Sequence, residues 1–362
     1  MRYLYIGLIC GFILGFLPFF KPVGGVAIYP EWHGKIDLIK NIQKASNPLI
    51  SKIQLPPVKT TEKIFTLSGN GEILTEMNMD HQLVSFSKNG KYIIKYDKIG
   101  TNIEFLNIHG ERFWKSISME YPYISFNGKI ILLMNGDHSA IRIVDFNGNE
   151  IGSKKINGRF CTVISFSKFS DFAGIGFLDG SFFIINYNGE IIYKGIASEN
   201  FLIKGIAISS NGQYIAIHHG GKEGDFIRLV NLNLKKFFIT PLKHIHISKT
   251  SLKVLNDGRI SVIDYNRILL IGNRGKITKI IETPTKRPGT STIDYANGIF
   301  IASYTKTTGN AHFIIYREDG TPLFAKNFSS EPFLISFMND SVIFLRGSES
   351  LFCYYYTHQY NL

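Results

Sequence analysis

Glycines at positions 71, 110, 148, 189, 275 and 320 recur at a near-constant interval, in steps of 39, 38, 41, 86 and 45 residues. The step of 86 is two intervals, because the unit between, VNLNLKKF at 230–237, has no glycine. The glycines separate runs of Ile, Val, Phe and Tyr, as in SFFIINYNGEIIYKG at 181–195. Asn-Gly supplies the positive φ of a tight hairpin turn, and the flanking β-branched and aromatic residues suit a pleated, half-buried surface. A second turn of the same kind precedes most of the units after the first, as in SFSKNGKYIIKY at 85–96, ISFNGKIILLM at 124–134 and IAISSNGQYIAIHH at 206–219. Each unit therefore reads as four short strands in meander order.

A four-stranded sheet on its own cannot bury both faces. Copies at an interval of about 40 to 45 residues solve this by radial stacking, each sheet covering its neighbours, which is the arrangement of a β-propeller. The expected fold is all-β, a propeller of four-stranded antiparallel sheets. Seven turns between third and fourth strands can be placed, six with glycine and one near Asn233. The first unit, EKIFTLSGNGEILTEM at 62–77, lacks strands before its turn, and the last, at 334–356, lacks a strand at its end. If these halves share one blade, the ring has seven blades. Eight is the alternative, since SLFCYYY at 350–356 competes with KIFTL at 63–67 for one strand position.

SFSKNGKYIIKY and AISSNGQYIAIH resemble the strand–turn–strand of WD-repeat propellers, and DGSFFIINYNGEIIYKG at 179–195 resembles the repeat of quinoprotein-type propellers. The resemblance spans about 62–356. It implies a binding scaffold and, with no Gly-His…Trp-Asp pair and only Trp32 and Trp114 present, no particular chemistry.

Residues 3–20, YLYIGLICGFILGFLPFF, form an uncharged stretch long enough to span a bilayer. We read 1–27 as an apolar helix acting as membrane anchor or signal peptide, 28–61 as a linker, and 62–362 as the propeller. Gly7, Gly11 and Gly15 lie four apart on one helical face, a spacing that lets two membrane helices approach and so suggests a homodimer. Within the linker, Ile36, Ile39 and Ile42 recur on one side of a short amphipathic helix. Such a helix would lie on the membrane, pack on the ring or act as a spacer. Cys10, Cys161 and Cys353 show neither CxxC spacing nor a disulfide framework.

The chain carries a net charge of +12. It has no cation run and no nucleic-acid-binding signature, so the expected partners are a protein or an anionic polymer of the cell envelope. Loops between second and third strands and between blades share one face of a meander, and there Arg159, Lys222, Lys286, Arg287 and Lys306 make a candidate basic binding surface. Weak metal candidates are His218, His219, His244 and His246, if the two pairs meet. No nucleophile elbow and no paired carboxylates stand out, so neither catalytic residues nor a cofactor is expected. The resulting expectation is a non-catalytic docking scaffold, tethered to the membrane outside the cytoplasm or secreted. The alternative is an enzyme acting on a glycan or small molecule at the channel mouth.

Overall fold

The computed structural model describes residues 25–79, 82–152, 156–168, 171–197, 201–283, 288–306, 310–329, 335–338 and 341–359. Among these, the strands form eight antiparallel sheets, seven of four strands and one of three. In chain order the blades are 58–78 (blade 1), 83–117, 121–157, 161–196, 202–241, 252–282 and 288–328 (blades 2 to 7). Blade 8 combines 335–359 with 25–35.

The expectation of seven blades is thereby corrected to eight. The last unit does lack its outer strand, as read from the sequence. That place is taken by Gly25–Lys35, which pairs antiparallel with Ser350–Gln359 from Gly25↔Gln359 to Lys35↔Ser350. KIFTL is instead a strand of blade 1, paired with Ile73–Asn78. The closing blade has no turn between its third and outer strands, because these come from opposite ends of the chain. Seven such turns therefore belong to eight blades.

The six repeating glycines have φ between 74° and 87°, and in blade 5 Lys235 occupies the same place at φ 51°. A non-glycine residue tolerates this left-handed conformation at a modest cost, which is why the interval survives there without its marker.

Residues 28–61, expected as a linker, are built into the ring. Beyond the closing strand, Ile36–Asn41 forms a 3-10 helix. The spacing of Ile36, Ile39 and Ile42 is three, the period of that helix. All three pack with Trp32 against Phe65 and Leu67 of blade 1 and Val342 and Phe344 of blade 8. Of the three placements open to this segment, it takes packing on the ring. Blade 1 has three strands, and Pro56-Pro57 interrupts the first of them: Val58–Lys59 pairs with Ile64 and Phe65, while on the other side of the prolines the Leu55 N–H donates to the Leu67 carbonyl at 2.8 Å.

Eight apolar clusters lie at the eight blade junctions, so the core is itself a closed ring. Most are built from ten or so buried side chains. The junction of blades 1 and 2 has three, Ile64, Met79 and Ile93, where blade 1 lacks a full inner strand. Cys161 and Cys353 are unbridged and buried, and burial pushes the Cys161 thiol up to about 11. No helix of the described residues is long and apolar enough to cross a membrane. The apolar stretch at 3–20, with Gly7, Gly11 and Gly15, lies outside the described residues.

Candidate functional site

The inner strands surround a channel, and antiparallel alternation gives it two different mouths. Turns between first and second strands open on one face; loops between second and third strands, and connections between blades, open on the other.

At the turn face the channel holds a cavity of about 170 Å³, walled by residues of six blades that include Lys88, Lys168, Lys253 and Asp294. Lys88 and Lys168 occupy the same turn position in FSK of blades 2 and 4, while Lys253 and Asp294 sit at matching positions on the inner strands of blades 6 and 7. The Asp294 carboxylate accepts from Lys253 Nζ at 3.2 Å and from the N–H groups of Tyr295 and Met338, both at 2.9 Å. Burial would push its carboxyl up, but Lys253, Lys168 and Lys88 hold it below the ordinary carboxylate range. Lys168 Nζ donates to the carbonyls of Tyr295 at 2.6 Å and Met338 at 3.3 Å. Lys88 is reachable by water through the mouth yet flanked by protein, and desolvation lowers its ammonium pKa despite the attraction of Asp294. A second cavity of about 350 Å³ continues toward the loop face, past Lys204, Lys249 and Ser251.

The loop face carries the sequence candidates, spread over several blades. Arg159 is not a free cation: it pairs with Asp179 and donates to Ser181 Oγ at 2.9 Å. Lys222 is exposed in the turn between the second and third strands of blade 5. Lys306 ends a strand of blade 7, and Lys286 and Arg287 lie outside the described residues. Large apolar side chains stand on the same loops: Ile99 (95% exposed), Met119, Phe160, Leu178, Ile245 and Ile247 (82% exposed), an arc running from blade 2 to the connection between blades 5 and 6.

The two histidine pairs do meet, at the junction of blades 5 and 6, where the rings of His218 and His246 cross at 5.1 Å. Each is engaged by a carboxylate. Asp225 accepts from Lys204 Nζ at 2.6 Å, from the His218 ring at 2.8 Å and from the His246 backbone N–H at 2.8 Å. Asp264 accepts from the His244 and His246 rings, both at 3.1 Å, and from Arg267 at 2.7 and 2.9 Å. Asp225 is a buried strand residue. Both acids are held well below the usual range: their burial opposes ionisation, and these donors outweigh it. His218 is kept neutral chiefly by desolvation. Among the described residues His219 finds no hydrogen-bond partner for either ring nitrogen, and desolvation pushes it down to about 4. Among the described residues no set of three or more His, Cys, Asp or Glu side chains converges as metal ligands. The cluster ties two blades together.

The sequence reading missed the channel lysines Lys88, Lys168 and Lys253. The available signal was the repeat itself. Aligning FSK of blades 2 and 4 places two lysines on one turn position, and turns at that position border the channel.

A closed ring of four-stranded meanders around a lined channel defines a β-propeller protein. The chain belongs to the family described as beta-propeller protein, whose model matches residues 12–256. A search of curated proteins gives no match. Among solved structures it is similar to BamB from Moraxella catarrhalis, with 11% identity and a TM-score of 0.59 over 93% of this chain and 100% of that one. It is also similar to Hsv2 of Kluyvelomyces marxianus, with 12% identity and a TM-score of 0.52 over 71% and 87% of the two chains. A chain of the Mitotic Checkpoint Complex gives 11% and 0.53 over 86% and 95%. At these identities the likeness is one of fold, and it spans propellers of both types that the repeats resemble.

Proposed function

We propose that this propeller is a non-catalytic docking scaffold that binds a protein partner through its loop face, held at the cell envelope by the apolar stretch at 3–20. The observation that carries the reading is the arc of exposed Ile99, Met119, Phe160, Leu178, Ile245 and Ile247 on the face that also bears Lys222. Apolar anchors among cations suit a protein surface with acidic groups at its rim.

The test is a mild-crosslinking pull-down with full-length protein carrying Ile99→Asp and Ile247→Asp, against a control with Tyr187→Asp and Leu234→Asp on the turn face. A partner lost with the first pair and kept with the second supports the docking face, and equal capture by both removes it. Reversal of Arg159, Lys222, Lys286, Arg287 and Lys306 to Glu measures the electrostatic share, read against reversal of five exposed lysines away from that face, Lys91, Lys115, Lys194, Lys235 and Lys276. Protease digestion of the propeller in intact spheroplasts places it outside the cytoplasm; protection until lysis places it inside.

A further inference from the structure

The channel mouth opposite the docking face has features that the scaffold role does not use. Its cavity of about 170 Å³ has the volume of roughly six waters, enough for a phosphate or a short polycarboxylate. Among the described residues, three ammonium groups line it against one carboxylate, and that carboxylate is already satisfied by Lys253 and two backbone N–H groups. Lys168 is positioned by two carbonyls. Among the described residues Lys88 has no hydrogen bond and no contact ion pair, with Asp294 acting on it only at longer range, and Ser165 lines the same space.

Three ammonium groups sharing one carboxylate leave an excess of positive charge in partly desolvated surroundings, and the cost is recovered when an anion occupies the space beside them. We propose that the turn-face cavity binds a small oxyanion, a phosphate or carboxylate group, with Lys88 as its principal charge partner and Lys253, Lys168 and Ser165 completing the cradle. The donors are ammonium groups and a hydroxyl with no guanidinium among them, so the cavity recognises charge and size more than a planar bidentate shape. Desolvation already lowers the Lys88 pKa, so a bound anion raises it and binding takes up protons at alkaline pH. The site is independent of the docking face: it lies at the other mouth and needs no partner protein.

The full-length protein is titrated with sodium phosphate and, separately, with sodium citrate, at ionic strength held constant with sodium chloride. Both thermal unfolding and calorimetric heat are followed. Saturable stabilisation by at least one of them is expected, weakened tenfold or more in Lys88→Met and unchanged in Lys222→Met. Among the described residues Lys88 makes no hydrogen bond to lose, so Met retains the stem and the fold. Lys88→Gln, titrated in parallel, serves if the Met variant melts early. Phosphate acting alone identifies a phosphoryl ligand, and citrate acting alone a carboxylate. Absence of saturable binding by either anion, or wild-type affinity in both Lys88 variants, overturns the proposal.

Discussion

The Trp32 indole N–H donates to the Gly69 carbonyl at 2.7 Å, joining the strand that completes blade 8 to the turn of blade 1. The bond spans 37 residues of sequence and sits inside the cluster that seals the ring, where Trp32 is 6% exposed and meets Phe344 with ring centroids 6.2 Å apart. Trp32→Ala therefore removes both a large core side chain and a closure bond. Its expected cost is about 3–5 kcal/mol. Trp32→Phe keeps most of the packing, and the Cys353 thiol, 3.3 Å from the same oxygen, still serves Gly69, so about 1 kcal/mol is expected. Urea midpoints of the two variants check the ordering; equal losses would show that the hydrogen bond and not the packing dominates.

Closure depends equally on both chain ends. Truncation after Gly347 removes Ser350–Gln359, leaving Gly25–Lys35 without a partner and blade 8 with two strands. The exposed edges then favour association over a folded open ring. Loss of the cooperative thermal transition, with aggregation by light scattering, is the expected result. A truncated chain that melts as the intact one does would mean that this strand is dispensable.

Acid sensitivity should centre on the junction of blades 5 and 6. His219 is buried, neutral and lowered to about 4, against about 6.5 in an unfolded chain. Between those values the unfolded state binds the proton and the folded state does not. The contribution is therefore fully present above pH 6.5, is lost as pH falls toward 4, and amounts to roughly 3 kcal/mol. His218, lowered in the same direction, adds to the loss. His219→Leu also removes two buried ring nitrogens without hydrogen bonds, so it should match or exceed wild type at pH 7 and lose less stability between pH 6.5 and 4. Parallel pH profiles for the two proteins would rule this account out.

Asp264 gathers two histidine rings and Arg267 around a carboxylate with no exposed surface. Asp264→Asn leaves Arg267, 15% exposed, without its counter-charge and should cost about 3–5 kcal/mol. In an Arg267→Met background the same substitution should cost much less. A double-mutant cycle with no coupling would place the stability in packing alone.

The repeating unit was legible in the sequence because its signals are local. A glycine at positive φ and alternating apolar runs act within a dozen residues, and they yielded the meander, the interval and the propeller. The blade count was not, because it depends on which distant strand fills an empty edge. Gly25–Lys35 has no partner within its own neighbourhood; its pairing with Ser350–Gln359 arises only when the ring brings the two ends of the propeller together. The histidine pairs were legible as candidates. Their carboxylate partners were not: Asp225 meets His218 across one hairpin, while Asp264, 18 residues beyond His246, meets it only where blade 6 packs on blade 5.

By itself, then, the sequence determined the strand grammar, the periodic turns and the residues able to sit at each repeat position, all of which follow from backbone preferences and the need of each sheet to cover its neighbour. Tertiary structure alone decided how many blades close the ring, which face each cation occupies, and that Lys88, Lys168, Lys253 and Asp294 share one cavity. The reason is geometric: radial packing superposes equivalent positions of different repeats around one axis, so residues as far apart in sequence as Lys88 and Phe337 line one cavity.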